Sequence, residues 1–524
     1  MPQIQRIARA ASSVEGAFVI SFLAAVATAA ATSGLGRALD GFAQPLAVAV
    51  VLMAAYVVRP VGGLLAFVVF ILAYDTIALY VGEPVKRTDE LAIPALAVIA
   101  LLRYRPWRAW PWSVLREGGI ALFVAAGVVA SILNGVPLGI WAPALVLVMK
   151  PIVVFYVAMA TPIDRASFVA AARAVLVLGI GIAALGLVEA IDPGAFQRAI
   201  GLPEHVRPRG VLPATKSIFT HPAIFAWVMS MLAIYSFIGY VHLRSRWLLV
   251  LGFVFGVSTF LSARRRAIGA MVVTLGLAFA WSVRRPSRFL GELRRWLPVF
   301  AATALMVVAF IPGLIGLYDR TVTRYLPGAT PTPTEGVVGQ PLPDDEDRRT
   351  DPARVALYFG SFEIARDHFP LGVGMGRYGS WMSRVEYSPV YREYGLNDVP
   401  GLRASNSQFA TDTFWPMALG EFGVVGALGY VAFLAGVGLP LWTLGRRVTG
   451  PLDTTMVVSA LAVLTAACIE SAATPMFTSP PRSYLLFAAL GGTFAAWGGH
   501  AIAGPNAQPT AEATDVTPER EHAR

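Results

Sequence analysis

The chain has 524 residues, of which 56% are hydrophobic and only 14% are charged, and its mean hydropathy is +0.62. This composition excludes an ordinary soluble domain and indicates an integral membrane protein. The net charge of +10 comes from short basic clusters between apolar segments, which argues against a nucleic-acid partner. The single cysteine, Cys468, excludes a disulfide framework or a Cys-based metal site within one copy of the chain.

Apolar segments long enough to cross a bilayer recur along most of the sequence. Because a membrane-spanning helix needs about 20 mostly apolar residues, we selected long runs with few charges. The candidate spans are residues 14–33, 43–58, 61–81, 91–103, 118–135, 141–160, 169–190, 222–241, 246–262, 267–283, 297–317, 424–444, 455–471 and 483–503. The first resembles a signal peptide, but with so many later spans an uncleaved helix is expected. We predict an all-α, polytopic transmembrane helix bundle of about 12 to 14 helices, with a large outer loop that contains helices.

The orientation follows from the basic residues, because Lys and Arg accumulate in short cytoplasmic loops. With the N-terminus inside, the inner loops receive Arg59, Arg103, Arg105, Arg108, Arg116, Arg165, Arg244, Arg246, Arg284, Arg285, Arg288, Arg294, Arg295, Arg446 and Arg447. Both termini are then cytoplasmic. One basic run breaks the pattern, since Arg264, Arg265 and Arg266 fall on the outer side.

This assignment of loops to the two sides of the membrane divides the chain into four parts. They are the helices of residues 1–317 with an outer loop at about 191–221, a large outer loop at 318–412, the C-terminal helices at 413–503, and a disordered cytoplasmic tail at 504–524. Within the large loop, residues 327–350 are rich in Pro and acidic residues, and we expect them to be flexible.

The rest of the large loop should fold because it contains aromatic residues. Residues 351–369 are predicted to form an amphipathic helix that ends at Pro370. Its apolar positions include Val355, Phe359, Phe362 and Ile364.

Three adjacent arginines on the outer side require an anionic partner. Guanidinium groups match phosphate oxygens bidentately, and the amides at the start of the tenth span would add donors. Other basic residues that could join this site are Arg207, Arg209, Lys216, Arg354 and Lys150. The alternative is that the arginines bind lipid headgroups or pair with acids of the large loop, namely Asp344, Asp345 and Asp347.

Lys150 lies in the middle of the sixth span. An ionisable residue within a membrane is costly and usually faces a cavity or a partner, so Lys150 is a functional candidate. The alternative is a structural pair with an acid such as Asp75 or Glu189.

Four segments of the sequence resemble motifs of one protein superfamily. They are FTHPAIFA at 219–226, LSARRRAIGA at 261–270, RVALYFGSFEIARDHFPLGVGMGRYG at 354–379 and LGEFGVVGALGY at 419–430. In order, spacing and predicted side, they resemble motifs of the bacterial O-antigen ligase and O-antigen polymerase superfamily, over about residues 90–500. Ala223 stands where the family usually has Asn. The glycines Gly372, Gly374 and Gly376 lack a following Lys-Ser/Thr, so we predict a tight turn rather than a nucleotide site.

The resemblance implies transfer of glycans from undecaprenyl diphosphate, with no cofactor and no metal. Arg265 occupies the slot of the family arginine, and Arg264 and Arg354 are assigned with it to the diphosphate. Arg209 and Lys150 complete this candidate set. The expected partners are the polyprenyl-diphosphate-linked glycan, a glycan or lipid acceptor, membrane lipids and other polysaccharide assembly proteins.

The catalytic base departs from the ligase pattern. Ligases carry a catalytic His-Asn pair shortly before the Glu-x-Gly motif, whereas this chain has Asp412 and Thr413 there. Asp412 is the candidate general base and Glu421 the alternative. Asp412 could instead be the N-cap of a helix beginning at Thr413. We expect structural or capping roles for His221 and His368.

The missing ligase histidine favours a surface polysaccharide or O-antigen polymerase. The alternative within the family is an O-antigen ligase to lipid A core or another acceptor. A lipid-linked glycan flippase or transporter is the alternative of another class.

Overall fold

A computed structural model describes residues 2–33, 41–104, 113–202, 214–283, 289–322 and 350–502. Within these ranges the chain forms helices and turns without a strand, and the only β-type pairing is an isolated bridge between Arg403 and Asn406. The prediction of an all-α protein is therefore confirmed. Most of the segment 327–350, and the tail 504–524, lie outside the described residues.

The described residues form eighteen α-helices, which are numbered in chain order. They are α1 (Pro2–Ala31), α2 (Ala43–Val58), α3 (Pro60–Val81), α4 (Thr88–Tyr104), α5 (Gly119–Leu133), α6 (Leu138–Ala160), α7 (Arg165–Ile191), α8 (Pro193–Ala199), α9 (Pro222–Leu243), α10 (Arg246–Leu261), α11 (Arg265–Ser282), α12 (Phe289–Val322), α13 (Thr350–Asp367), α14 (Trp381–Val385), α15 (Val390–Glu393), α16 (Trp415–Arg447), α17 (Pro451–Ser471) and α18 (Arg482–Ile502).

The helices are those of a multi-pass membrane protein. Among the described residues, nine are long and apolar enough to cross a membrane, and α2 and α10 are shorter apolar helices. Each predicted span overlaps one of the eighteen helices, but the spans at 91–103, 267–283 and 483–503 lie on α4, α11 and α18, which are not among these eleven apolar helices. Because helices in lipid satisfy their backbone polar groups internally, this architecture suits the apolar composition.

Small residues bring the helices close together. A Cβ on Gly119 of α5 would lie 2.6 Å from the backbone oxygen of Gly429 in α16. Between the same two helices, the rings of Phe123 and Phe422 stack with their centroids 3.9 Å apart. Such contacts are typical of helix pairs in membranes, where close packing rather than the hydrophobic effect holds helices together.

The bundle has two unlike ends. At one, which we call the loop end, lie residues 214–221, 350–414 and 472–481. These connections contact one another, since Tyr358 Oη donates to the backbone oxygen of Ala472 at 2.6 Å. At the other end, which we call the short-loop end, Arg165 pairs with Asp453 at 3.2 Å.

The folded part of the large loop begins with α13. Its helical character was predicted, but its orientation was not: Ala353, Leu357 and Ile364 are buried in a small core of the loop, whereas Val355, Phe359 and Phe362 are 44%, 68% and 59% exposed. Of the four apolar positions named from the sequence, Val355, Phe359, Phe362 and Ile364, only Ile364 is buried. The buried side of the helix therefore points in a different direction from the exposed apolar residues. It also includes the small residues Gly360 and Ser361.

The glycine-rich segment 370–379 packs against a break within α16. Gly423 has φ 69° and ψ −172°, a conformation essentially restricted to glycine. The carbonyls of Gly420 and Glu421, released from helical bonding, accept from the amides of Val373 (2.9 Å) and Gly374 (3.1 Å). The segment is thus a turn packed on a broken helix, in agreement with the predicted tight turn.

Replacing Gly423 by Ala should destabilise the protein by about 2 kcal/mol or more, because an L-residue is strained in this conformation. In addition, its Cβ would lie 2.5 Å from the backbone of Pro370, Leu371 and Gly372. Thermal unfolding of the purified protein in detergent measures the effect. Gly181→Ala is the matched control, since its Cβ meets open space within a helix, and it should preserve or slightly raise stability. Equal melting temperatures for the two variants would contradict the prediction.

Candidate functional site

The turn before α11 carries the three adjacent arginines. Arg264 precedes the helix, Arg265 is its first residue and is exposed, and Arg266 is half-buried. The turn is held by a bond from the Thr215 amide to the Leu261 carbonyl at 3.1 Å. The three side chains therefore differ in their exposure.

Arg266 is the member of this run that faces other charged residues of the loop end. The charges of Arg354, Asp412, Glu470 and Arg482 all act on its guanidinium. We call these five residues the arginine cluster. Three cations and two carboxylates give the cluster a net positive charge, which suits a bound anion.

An ion pair joins two of the residues predicted for the site. Arg354, on α13, donates through Nη2 to Asp412 Oδ2 at 2.6 Å, with side chains 16% and 28% exposed. The alternative role of Asp412 as a helix N-cap is wrong, because α16 begins at Trp415 and its N-cap is Phe414. Asp412 is instead turned toward the arginines, and it remains partly open to solvent.

Glu470 and Arg482 were not predicted as site residues. Glu470 lies near the end of α17 and Arg482 begins α18, and the two side chains are 4% and 7% exposed. Arg482 Nη2 donates to Ser479 Oγ at 3.0 Å, and its charge interacts with those of Glu470 and Asp412. Because a charge at the end of an apolar span usually marks only the membrane boundary, the sequence offered no signal that these two meet.

Not every buried polar atom of Glu470 and Arg482 has a hydrogen-bond partner among the described residues. Oε1 of Glu470 is buried with no hydrogen-bond partner among the described residues, and the same holds for Nε of Arg482. Buried polar atoms are normally paired, by protein, water or ligand. The cluster therefore has capacity for additional polar contacts.

His221 caps α9, as expected, and also approaches the arginine turn. Its Nδ1 accepts from the Ala223 amide at 3.1 Å, so in the neutral ring Nε2 carries the proton. That nitrogen lies 3.4 Å from Nη2 of Arg264. Two donors side by side can share one acceptor oxygen of an anion.

A buried carboxylate supports the segment that leads to His221. Glu189 accepts from the amides of Lys216 (2.8 Å) and Ser217 (2.6 Å) and from Gln197 Nε2 (2.9 Å). Burial lowers the pKa of Lys216, while the nearby charge of Glu189 acts in the opposite direction. Lys216 is 1% exposed, so it is enclosed by the protein rather than presented at the surface.

Lys150 is paired within the bundle. Its Nζ lies 3.1 Å from Asp89 Oδ2 and 3.8 Å from Glu90 Oε1, and Tyr484 donates to the same oxygen of Asp89 at 2.7 Å. The partner acid is therefore Asp89 and not Asp75 or Glu189, which have other partners. Tyr484 follows Arg482 by two positions, so α18 contributes one residue to the Lys150 pair and another to the arginine cluster.

Glu421 supports the glycine-rich segment. Its side chain is completely buried and accepts from the Tyr378 amide at 2.8 Å. From the other side, Asn134 donates to the Gly372 carbonyl at 3.1 Å. This arrangement gives Glu421 a positioning role in the structure.

The remaining predicted residues lie elsewhere. Arg209 is outside the described residues. His368 follows the last residue of α13 and its amide donates to the Ile364 carbonyl at 2.9 Å. In the part of the chain that the structure describes, no three His, Cys, Asp or Glu side chains are grouped so that they could hold a metal ion.

Removing the carboxylate of Glu470 should leave the buried Arg482 with Asp412 as the remaining carboxylate of the cluster. We expect Glu470→Ala and Arg482→Ala each to lower the unfolding free energy by about 3 kcal/mol. The double variant should lose less than the sum, because the two groups interact. Thermal unfolding in detergent provides the cycle.

The control is Arg295→Ala, which breaks an exposed pair with Glu292 and should cost about 0.5 kcal/mol. Strictly additive losses for Glu470 and Arg482 would show that the two side chains do not stabilise each other.

Comparison with known proteins does not assign this chain to a family. No protein-family model matches it, and no curated protein matches it.

Proposed function

We propose that the chain is a membrane glycosyltransferase that uses a polyprenyl-diphosphate-linked glycan as donor, with the arginine cluster as its donor site. The observation that carries this proposal is the convergence of Arg266, Arg354 and Arg482 around Asp412 at the loop end. A surface polysaccharide or O-antigen polymerase is the form of this activity that we favour. Transfer to lipid A core or another acceptor, as in a ligase, uses the same donor chemistry.

A diphosphate fits the chemistry of the cluster. Guanidinium groups are planar donors that bind phosphate oxygens in pairs, and they keep their charge when partly buried. A site with more cations than carboxylates stabilises the negative charge that develops on the leaving diphosphate. The position at the end of membrane-spanning helices would leave the prenyl chain in the bilayer while its diphosphate reaches the arginines.

Asp412 is the proposed general base. The acceptor hydroxyl oxygen attacks the anomeric carbon of the donor glycan, the bond from that carbon to the diphosphate oxygen breaks, and polyprenyl diphosphate leaves. The hydroxyl proton passes to the carboxylate of Asp412, whose partner Arg354 is within reach of the same diphosphate. Glu421 is less suited to this role because it is fully buried and occupied by the Tyr378 amide.

The positions of the basic residues support an orientation with the loop end outside. Arg59, Arg103, Arg165 and Arg446 lie at the short-loop end, where helices are joined by few residues. Since such residues accumulate on the cytoplasmic side, the proposal places both termini in the cytoplasm and the arginine cluster on the outer face of the inner membrane.

The absent ligase histidine favours polymerisation. Asp412 and Thr413 occupy the corresponding positions of this chain, and Asp412 pairs with Arg354. A lipid-linked repeat unit can serve as both donor and acceptor in chain growth, so one diphosphate-binding surface serves the reaction.

Different variants should affect donor binding and the rate of transfer separately. Asp412→Asn should reduce the rate of transfer about 100-fold or more, since it removes the base, while binding of a polyprenyl diphosphate is retained. Arg354→Ala and Arg482→Ala should weaken that binding. Purified protein in vesicles, radiolabelled lipid-linked repeat units and separation of chain lengths measure both effects.

The matched control is Arg392→Ala, an exposed arginine of the same loop, which should leave rate and binding unchanged. Full activity of Asp412→Asn would contradict the role of Asp412 as base. Unchanged donor binding in both arginine variants would contradict the donor site.

The product distinguishes the proposed forms of the activity. Deletion of a polymerase should leave single repeat units on the lipid carrier or its acceptor, whereas deletion of a ligase should leave full-length chains on the carrier. Cell-envelope glycans are extracted and sized in the deletion strain and in the same strain carrying the gene for the intact chain. Normal glycan of normal length in the deletion strain would contradict both.

A further inference from the structure

Several apolar residues are exposed on the outward side of α13, where the charged residues Glu363 and Arg366 are also exposed. Val355, Phe359 and Phe362 are spaced by four and three residues, so they form one stripe along the helix. Phe359 and Phe362 are more than half exposed, and Phe369 just beyond the helix is 71% exposed. We call these four residues the apolar stripe. A contiguous set of exposed aromatic side chains usually marks a binding or membrane surface.

The rest of α13 fixes the direction of this stripe. Leu357 and Ile364 are buried in the core of the loop. Arg354 and Tyr358 are directed to the bundle, where they contact Asp412 and the Ala472 carbonyl. At 100° per residue the stripe lies beyond Arg354 and Tyr358, on the side opposite the loop core.

The end of the stripe lies beside the bundle. Pro370, next to Phe369, accepts through its carbonyl from the Val425 amide at 3.3 Å. Val425 follows the break at Gly423 by two residues and lies at the start of the predicted span 424–444. Phe369 is therefore close to the loop end of an apolar span rather than far above it.

The stripe continues into the apolar outer surface of the bundle. Near these contacts, Ile132 and Leu133 at the end of α5 are 66% and 73% exposed, and Leu428 of α16 is 60% exposed. Asn134, which follows Leu133, bonds to the Gly372 carbonyl at 3.1 Å. In a multi-pass membrane protein, such outward-facing side chains on spanning helices contact lipid.

We infer that α13 rests in the interfacial region of the bilayer, with the apolar stripe inserted among the lipid chains. Phenylalanine and valine side chains have no polar atom to satisfy, so their burial in lipid is favourable without a partner. The helix carries Arg354 on an adjoining side. Insertion of the stripe thus holds the arginine cluster at the depth of lipid phosphate groups.

This inference rests on the membrane architecture and not on the proposed transfer reaction. It concerns a lipid surface as the partner of α13. A protein segment seated on the same stripe would be a different partner, and the test separates the two.

Spin labels at single cysteines test the inference directly. The chain has one cysteine, Cys468, so Cys468→Ala provides the background for Phe359→Cys and Phe362→Cys. Leu428→Cys serves as the lipid-exposed control, and Arg392→Cys, an exposed position of the same loop outside α13, serves as the water-exposed control. The labelled full chain is reconstituted in phosphatidylethanolamine–phosphatidylglycerol vesicles.

Collisions with oxygen and with a water-soluble nickel chelate report the surroundings of each label. We expect the oxygen-to-nickel ratio to be several-fold higher at positions 359 and 362 than at 392, and close to the value at 428. A low ratio at 359 and 362 would overturn the inference, because the stripe would face water. Low accessibility to both reagents would also overturn it, because protein would then cover the stripe.

Melting temperatures of the labelled proteins provide the folding control. If either phenylalanine variant is unstable, Val355→Cys reports from the same stripe with a smaller change in side-chain volume and gives the same two readings.

Discussion

The break of α16 at Gly423 is the constraint on which the loop end depends. A helix interruption inside an apolar bundle exposes backbone carbonyls that must find donors, because no water is available there. The amides of Val373 and Gly374 supply those donors. The Tyr378 amide meets the buried Glu421 carboxylate in the same region. Backbone hydrogen bonds therefore hold the loop against the bundle, and most side-chain substitutions would leave these bonds in place.

These backbone hydrogen bonds determine where the charged residues meet. They hold the segment after α13 against α16, and they thereby set the position of Arg354 relative to Asp412. The turn between α17 and α18 brings Arg482 to the same place, and the start of α11 brings Arg266. Segments that are far apart in sequence thus contribute one charge each. In the proposed donor site, such an arrangement would favour electrostatic stabilisation of the leaving group.

The surroundings of the cluster explain how buried arginines are tolerated. Each carboxylate offsets part of the positive charge, since an unpaired ion near lipid is costly. The pair of Lys150 and Asp89 follows the same rule deeper in the bundle. The proposed insertion of α13 into the interface adds a further contribution, because it would exclude water from one side of the loop while leaving Asp412 partly open to solvent.

Sequence and structure contribute differently to this picture. Hydropathy and length by themselves determined the all-α class and the place of each predicted span, because a bilayer requires long apolar runs. The glycine pattern at 372–376 likewise indicated a turn, since its residues include positive φ values that favour glycine. Arg354 and Asp412 were both chosen from motifs before their contact was known.

Only the tertiary structure decided which side chains meet. Periodicity placed Val355, Phe359 and Phe362 on an apolar side of α13, but burial depends on what packs against a helix, and there the loop core selects Leu357 and Ile364. Glu470 and Arg482 lie at the ends of apolar runs and gave no local signal. Lys150 was expected to need a partner, yet Asp89 could be identified only by helix packing. Local patterns determine helices in lipid, whereas distances between helices depend on long-range packing that no single segment encodes.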